Sequence, residues 1–152
     1  MQVKDIMSTE LITVSTEDPV EKCARLLQEN DISGLPVLDS GGSLVGMVTE
    51  GDLIRRASRI KAPGYLEVLG GLIYLGSPTK FVEELQRAMA LEAGNLMSKN
   101  LITISPEDTL EKAATLMVEK NIKRLPVVDD NKKLVGIVSR RDIMGRLYAE
   151  ET

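Results

Sequence analysis

Apolar residues follow two periods along this chain. Val20, Cys23, Ala24, Leu26 and Leu27 fall on one face of a helix, as do Leu110, Ala113, Ala114, Leu116 and Met117. A short extended piece precedes each helix, at Leu11–Val14 and at Leu101–Ile104. The segments Ser15-Thr-Glu-Asp18 and Ser105-Pro-Glu-Asp108 are predicted to start these helices, with serine as N-cap, acids in the first turn and Pro106 at the first helical position. After each helix come two short runs of strand-forming residues around a polar turn. Leu35–Leu38 and Leu44–Val48 flank Asp39-Ser-Gly-Gly-Ser43, and Leu125–Val128 and Leu134–Val138 flank Asp129-Asp-Asn-Lys-Lys133. Both read as hairpins. A second helix then opens at Thr49 and at Ser139.

The two sets of elements are copies. Sliding the chain by 90 residues superposes Val3–Ala57 on Ala93–Leu147 without a gap, and 24 of the 55 aligned pairs are identical. Two copies are too few to bury the faces of a solenoid, so a pair related by a pseudo-twofold axis is expected. Each unit reads β-α-β-β-α, with helices packed on a small sheet.

The 35 residues between the copies, Ser58–Glu92, are too many for a plain linker in a compact domain. Thr79–Glu92 is predicted helical, with Phe81, Leu85 and Met89 spaced by four; Tyr65–Leu75 is apolar but interrupted by Gly70-Gly71. Tyr65, Tyr74 and Phe81 either pack the insert onto its own domain or form a dimer surface or lid.

Composition narrows the chemistry. The chain has 152 residues, no histidine and one cysteine, which excludes a Ser-His-Asp or Cys-His catalytic set and disfavours a structural zinc site. Cys23 aligns with Ala113 and is expected to be a small core residue in a reducing compartment. A net charge of −4, with no basic stripe on a helix, argues against a nucleic-acid partner. The N-terminus lacks an apolar signal core, and the longest uncharged central stretch, Val68–Thr79, is too short to span a membrane. A cytoplasmic protein without a membrane segment is expected.

One pattern with chemical content occurs twice, Gly-x-Val-(Thr/Ser)-x-x-Asp, as Gly46…Thr49…Asp52 and Gly136…Ser139…Asp142. Hydroxyl and acid three residues apart nearly make a capping box, which needs no ligand. The same arrangement suits one: a helix N-terminus attracts phosphate, a hydroxyl beside it donates to a phosphate oxygen, and a carboxylate one turn on accepts from ribose hydroxyls.

The duplicated Leu-Pro-Val…Leu-Val-Gly-x-Val-(Thr/Ser)-x-x-Asp pattern resembles a pair of CBS (cystathionine-beta-synthase) domains. The resemblance covers both repeats and leaves the insert uncovered. It implies an α/β fold of two β-α-β-β-α repeats of the CBS type, residues 1–57 and 93–152, packed sheet to sheet as a pseudo-twofold pair with a partly helical insert, 58–92, between them. It also implies two clefts that take AMP, ADP, ATP or S-adenosylmethionine, with AMP the leading choice and no cofactor required. Carried onto this chain, Asp52 and Asp142 hold ribose, Thr49 and Ser139 sit near phosphate, and Ile32-Ser33-Gly34 and Ile122-Lys123-Arg124 line adenine. One site would combine Ile32, Ser33 and Gly34 with Ser139 and Asp142; the other would combine Ile122, Lys123 and Arg124 with Thr49 and Asp52. Arg140 and Arg141 at one helix start, and Lys123 and Arg124 by the other pocket, are either a solvated basic surface or phosphate ligands. Glu50 would repel phosphate at the Thr49 pocket.

The leading expectation is a regulatory, energy-sensing module, a homodimer that binds an adenosine nucleotide and passes the signal to an effector protein by a conformational shift. The alternative is a dimerisation or protein-interaction module with vestigial sites. Catalysis is not expected: there is no phosphate-loop lysine pattern, no dinucleotide-binding glycine set and no acid/base pair at recognisable spacing.

Overall fold

The structure, a computed structural model, describes residues 1–58 and 90–149 in full and the backbone of 65–68 and 71–74. In the first repeat, β1 (Val14–Ser15) lies parallel to β2 (Gly34–Leu38), with Val14 opposite Val37. Helix α1 (Val20–Glu29) connects them, and β2 turns back antiparallel into β3 (Leu44–Thr49), with Leu35 opposite Val48. Helix α2 (Glu50–Ala57) follows. In the insert, β4 (Tyr65–Val68) pairs antiparallel with β5 (Gly71–Tyr74), Tyr65 opposite Tyr74. A short helix α3 (Ala93–Leu96) leads into the second repeat: α4 (Leu110–Lys120), β6 (Arg124–Val128), β7 (Leu134–Ser139) and α5 (Arg140–Leu147). Ile104 makes a parallel bridge to Val127 in the place of β1.

The hairpins repeat in detail. Both slip register at the same place, Val37/Leu38 and Val127/Val128. Both turns are tied by an aspartate. Asp39 Oδ1 accepts from the amides of Gly41 (3.0 Å) and Ser43 (2.9 Å), and Asp129 Oδ1 accepts from those of Asn131 and Lys133 (both 2.9 Å). The left-handed turn position is Gly42 (φ 80°) in one copy and Lys132 (φ 61°) in the other, so only the first uses the residue that adopts it without steric cost.

The first helix of each repeat starts later than expected. Ser15 and Ser105 are not N-caps, and Pro106 is not at the first helical position: α1 starts at Val20 after Pro19, and α4 at Leu110 after Thr109. The acid instead folds back on the serine, with Asp18 Oδ2 accepting from the Ser15 amide at 2.8 Å and Asp108 Oδ2 from the Ser105 amide at 3.0 Å. The carbonyls that would open a helix there are already engaged. Thr16 and Asp18 accept from the amides of Gly94 and Ala93, and Pro106 and Asp108 from those of Lys4 and Val3.

Those bonds reveal an exchange. The leading segment of each repeat packs on the other. Val3 is buried in the core of Ile104, Ala113, Met117, Leu125, Val127, Val138 and Ile143. Its counterpart Ala93, with Leu96, is buried in the core of Val14, Val20, Cys23, Leu27, Leu35, Val37 and Val48. Each leader also extends the other repeat's hairpin by an antiparallel bridge, Ser8 to Ile137 and Ser98 to Met47. Glycine in the Gly-x-Val pattern makes room for it: a Cβ on Gly46 would stand 2.7 Å from Met97 Cγ, and one on Gly136 would stand 2.8 Å from Met7 Cγ.

The pseudo-twofold relation is marked where a residue meets its own counterpart. Ser43 and Lys133, 90 positions apart, form an antiparallel bridge, and Lys133 Nζ donates to Gly41 O at 2.7 Å. Cys23 and Ala113 are both fully buried, and burial pushes the Cys23 thiol above its usual value. In the insert, the ambiguous Tyr65–Leu75 run contains the β4–β5 pair. Of the helix expected at Thr79–Glu92, Ala90 to Glu92 are not helical, because Leu91 O accepts from the Val20 amide and Glu92 bridges Pro19. Residues 79 to 89, and the side chains of Tyr65, Tyr74 and Phe81, lie outside the described residues.

Candidate nucleotide-binding cleft

The two Gly-x-Val patterns end in complete capping boxes. Thr49 Oγ1 accepts from the Asp52 amide at 3.3 Å, while Asp52 Oδ2 accepts from the Thr49 amide at 2.8 Å. Ser139 and Asp142 repeat this at 3.2 and 2.8 Å. Both acids therefore have a structural role, worth about 1 kcal/mol per cap. The triplet before each Leu-Pro-Val is pinned to the same helix start: the Glu50 amide donates to Ser33 O (3.0 Å), and the Arg140 amide to Lys123 O (2.9 Å).

A cleft of about 490 Å³ lies between the repeats. The second repeat contributes Ile122, Lys123 and Arg124, and the first contributes Ser33, Thr49, Glu50, Gly51 and Arg55. Asn100, Leu101, Ile102 and Pro126 are also part of the wall. The structure thus brings Ile122, Lys123 and Arg124 to the same cleft as Thr49, with Asp52 adjoining Thr49. Asp52 is almost fully buried; its Oδ2 also accepts from Thr49 Oγ1 (3.1 Å), and its Oδ1 accepts from Arg55 Nη2 at 2.7 Å.

Arg124 spans the interface. Its side chain lies over Gly34, where a Cβ would stand 2.7 Å from Nη1 and 3.0 Å from Cδ. Loss of hydration pulls its guanidinium below the usual value, and the Glu50 carboxylate opposes that shift. Glu50 therefore sits where it stabilises a cation as well as where it would repel an anion.

The residues of the other expected grouping are placed as follows. Ile32 packs against the first core. Ser33 lines the cleft that holds Thr49, because its carbonyl is bonded to the start of α2. Gly34 lies beneath Arg124. Ser139 and Asp142 cap α5, Arg140 Nε donates to Ile122 O at 3.3 Å, and Arg141 is exposed. Sequence reasoning missed Asn100, Leu101, Ile102 and Arg55. Leu101 and Ile102 carried a signal, since Leu11-Ile-Thr13 and Leu101-Ile-Thr103 are identical in the two repeats, whereas Asn100 aligns with Glu10.

Apolar walls at Ile102, Ile122 and Pro126, a hydroxyl, backbone groups and several cations suit a flat heterocycle bearing hydroxyls and an anionic group.

The CBS domain family model matches residues 3–59 and again residues 93–149. The chain belongs to the CBS domain family. Among curated relatives, the uncharacterized protein MJ1426 of Methanocaldococcus jannaschii is 36% identical, covering 97% of this chain and 91% of that protein. The chain spans under a quarter of the length of some enzymes it matches. One is the homoserine O-acetyltransferase of Methanohalobium evestigatum, 30% identical over 24% of its length. Among solved structures, CBSX2 of Arabidopsis thaliana in complex with AMP is 30% identical with a TM-score of 0.78, covering 94% of this chain and 93% of that one. The CBS domain pair of MJ0100 in complex with 5-methylthioadenosine and S-adenosyl-L-methionine is 28% identical with a TM-score of 0.72, covering 97% and 95%. Tandem CBS repeats therefore account for the duplication and for the cleft between the copies. No helix among the described residues is long and apolar enough to cross a membrane.

Proposed function

We propose that this CBS pair is a regulatory module that binds an adenosine nucleotide, AMP first among them, between its repeats, and that it is not an enzyme. The observation that carries this is the cleft itself: residues from both repeats, Ile122–Arg124 on one side and Thr49 with the start of α2 on the other, close on one space. A ligand held there touches both halves and favours one arrangement of them over another, the requirement for a signal by population shift. The AMP complex of CBSX2 and the methylthioadenosine and S-adenosylmethionine complex of the MJ0100 pair support the ligand class. In this reading Thr49 and Ser139 approach phosphate, and Asp52 and Asp142 take the ribose hydroxyls. Ile32–Gly34 and Ile122–Arg124 line adenine, and Lys123, Arg124, Arg140 and Arg141 supply positive charge.

The module is proposed to act as a homodimer that signals to an effector protein in the cytoplasm. Ile54 on α2 and its counterpart Met144 on α5 are both exposed, at 71% and 58%, which supports a paired apolar surface repeated in each copy. A thermal-shift panel with adenosine, AMP, ADP, ATP, S-adenosylmethionine and GMP tests the reading. A ligand at 100 times its Kd stabilises by about 2.7 kcal/mol. A shift with an adenosine compound and none with GMP is expected; no shift with any of them, in folded protein free of bound nucleotide, rejects it.

A further inference from the structure

The two capping acids are not in equivalent surroundings. Asp52 is paired to Arg55 at 2.7 Å, with the carboxylate 3% and the arginine 68% exposed. The position matching Arg55 in the second repeat is Gly145, and no ion pair to Asp142 occurs among the described residues. Arg55 folds back over the first turn of α2, so that a Cβ on Gly51 would lie 3.1 Å from its Nη1. Arg55 lines the cleft that Thr49, Lys123 and Arg124 also line.

Charge balance gives this arginine its significance. Among the described residues that line the cleft, Arg55, Lys123 and Arg124 outnumber the one carboxylate, Glu50, while Asp52 adjoins the cleft and pairs with Arg55. A guanidinium has five donors in a fixed fork, and Asp52 Oδ1 takes one of them, at Nη2. The ion pair fixes the fork while leaving donor capacity toward the cleft.

We propose that Arg55 is the specificity residue of this cleft: anchored by Asp52, it selects ligands with an anionic 5′ group over the neutral nucleoside, in this cleft and not at the Gly145 position. The inference rests on the adenosine-nucleotide reading above and narrows it to phosphorylated ligands. Arg55 does not contribute to either hydrophobic core, and Asp52 keeps its bonds to Thr49 when Arg55 is removed.

The test is calorimetric titration of the full chain with AMP and with adenosine, for wild type, Arg55→Ala and Arg55→Lys, with thermal unfolding to verify folding. In Arg55→Ala, AMP affinity at the tighter-changing site should fall about tenfold or more while adenosine affinity changes less than threefold, and Arg55→Lys should lie between. An unchanged ratio of AMP to adenosine affinity overturns the proposal and leaves the nucleotide reading standing. A gain in affinity for both ligands overturns it too, because Arg55 would then only compete with ribose for Asp52. Wild-type protein that binds neither compound rejects this inference and AMP as the ligand, and the other adenosine compounds of the panel above then decide the nucleotide reading.

Discussion

Arg124 lies across Gly34, the residue that holds its own position in the first repeat. The two copies have diverged where they touch: one supplies a long cation, and the other supplies the bare backbone it covers. Adding a methyl group at Gly34 pushes the flexible end of Arg124, not the backbone. Gly34→Ala should therefore change stability by about 1 kcal/mol or less while displacing the guanidinium from the cleft. AMP titration should show affinity reduced several-fold; full affinity would show that Arg124 takes no part in binding.

Charge at the cleft should matter in proportion to ligand charge. Arg124→Ala and Arg140→Ala should weaken ATP and ADP more than adenosine, since charge-assisted bonds to phosphate are lost and those to the nucleoside are not. Parallel titrations measure this. Equal losses for all three ligands would show that neither arginine acts on the phosphates.

The exchange of leading segments makes the repeats one cooperative unit. Gly136→Ala forces a Cβ to within 2.8 Å of Met7 Cγ and 3.1 Å of Ser8 O, and should cost about 1–3 kcal/mol through overpacking. Urea unfolding should still show one transition, with fluorescence and circular dichroism coincident, because the displaced leader belongs to the other repeat's chain segment. Two separated transitions would show independent domains.

Acid should loosen the turns before α1 and α4. Asp18 and Asp108 are held below the ordinary carboxylate value, chiefly by the backbone amides of Ser15 and Ser105, with Lys22 and Lys112 helping at 3.2 and 3.1 Å. A depressed native value means stability that is fully present above the unfolded value of about 3.9 and lost as pH falls through the native one. Asp18→Ala with Asp108→Ala should lower stability at pH 7 and flatten its loss below about pH 4. Parallel acid limbs for variant and wild type would contradict this.

Cys23 should behave as a core atom. Its full burial and raised thiol value predict no labelling by a thiol reagent at pH 8 in native protein and full labelling in urea. Cys23→Ala, which restores the residue found at 113, should cost about 1 kcal/mol.

Much of this molecule was legible because it is written twice. The hairpins, the second-helix caps at Thr49 and Ser139, and the core face of Cys23 and Ala113 all followed from local pattern, and their repetition removed ambiguity. The start of the first helix was misread for a reason no local pattern holds. Ser15-Thr-Glu-Asp18 has good capping residues, but its carbonyls bond to Ala93 and Gly94, over 70 residues away. The same long-range exchange brings the Asn100–Ile102 segment to the cleft, so spacing within one repeat did not reveal it. Arg55 went unnoticed because it has no counterpart: comparison of copies finds what they share, and Gly145 stands in its place.

Binding of an adenosine nucleotide between the repeats is proposed to run through Asp52 and Asp142. Its most direct test is calorimetric titration of AMP into wild type, Asp52→Ala, Asp142→Ala and the double variant, each verified as folded. Binding to wild type, weakened in the single variants and abolished in the double, is the predicted result. AMP binding of wild-type strength in the folded double variant would contradict the claim and leave both acids as helix caps alone.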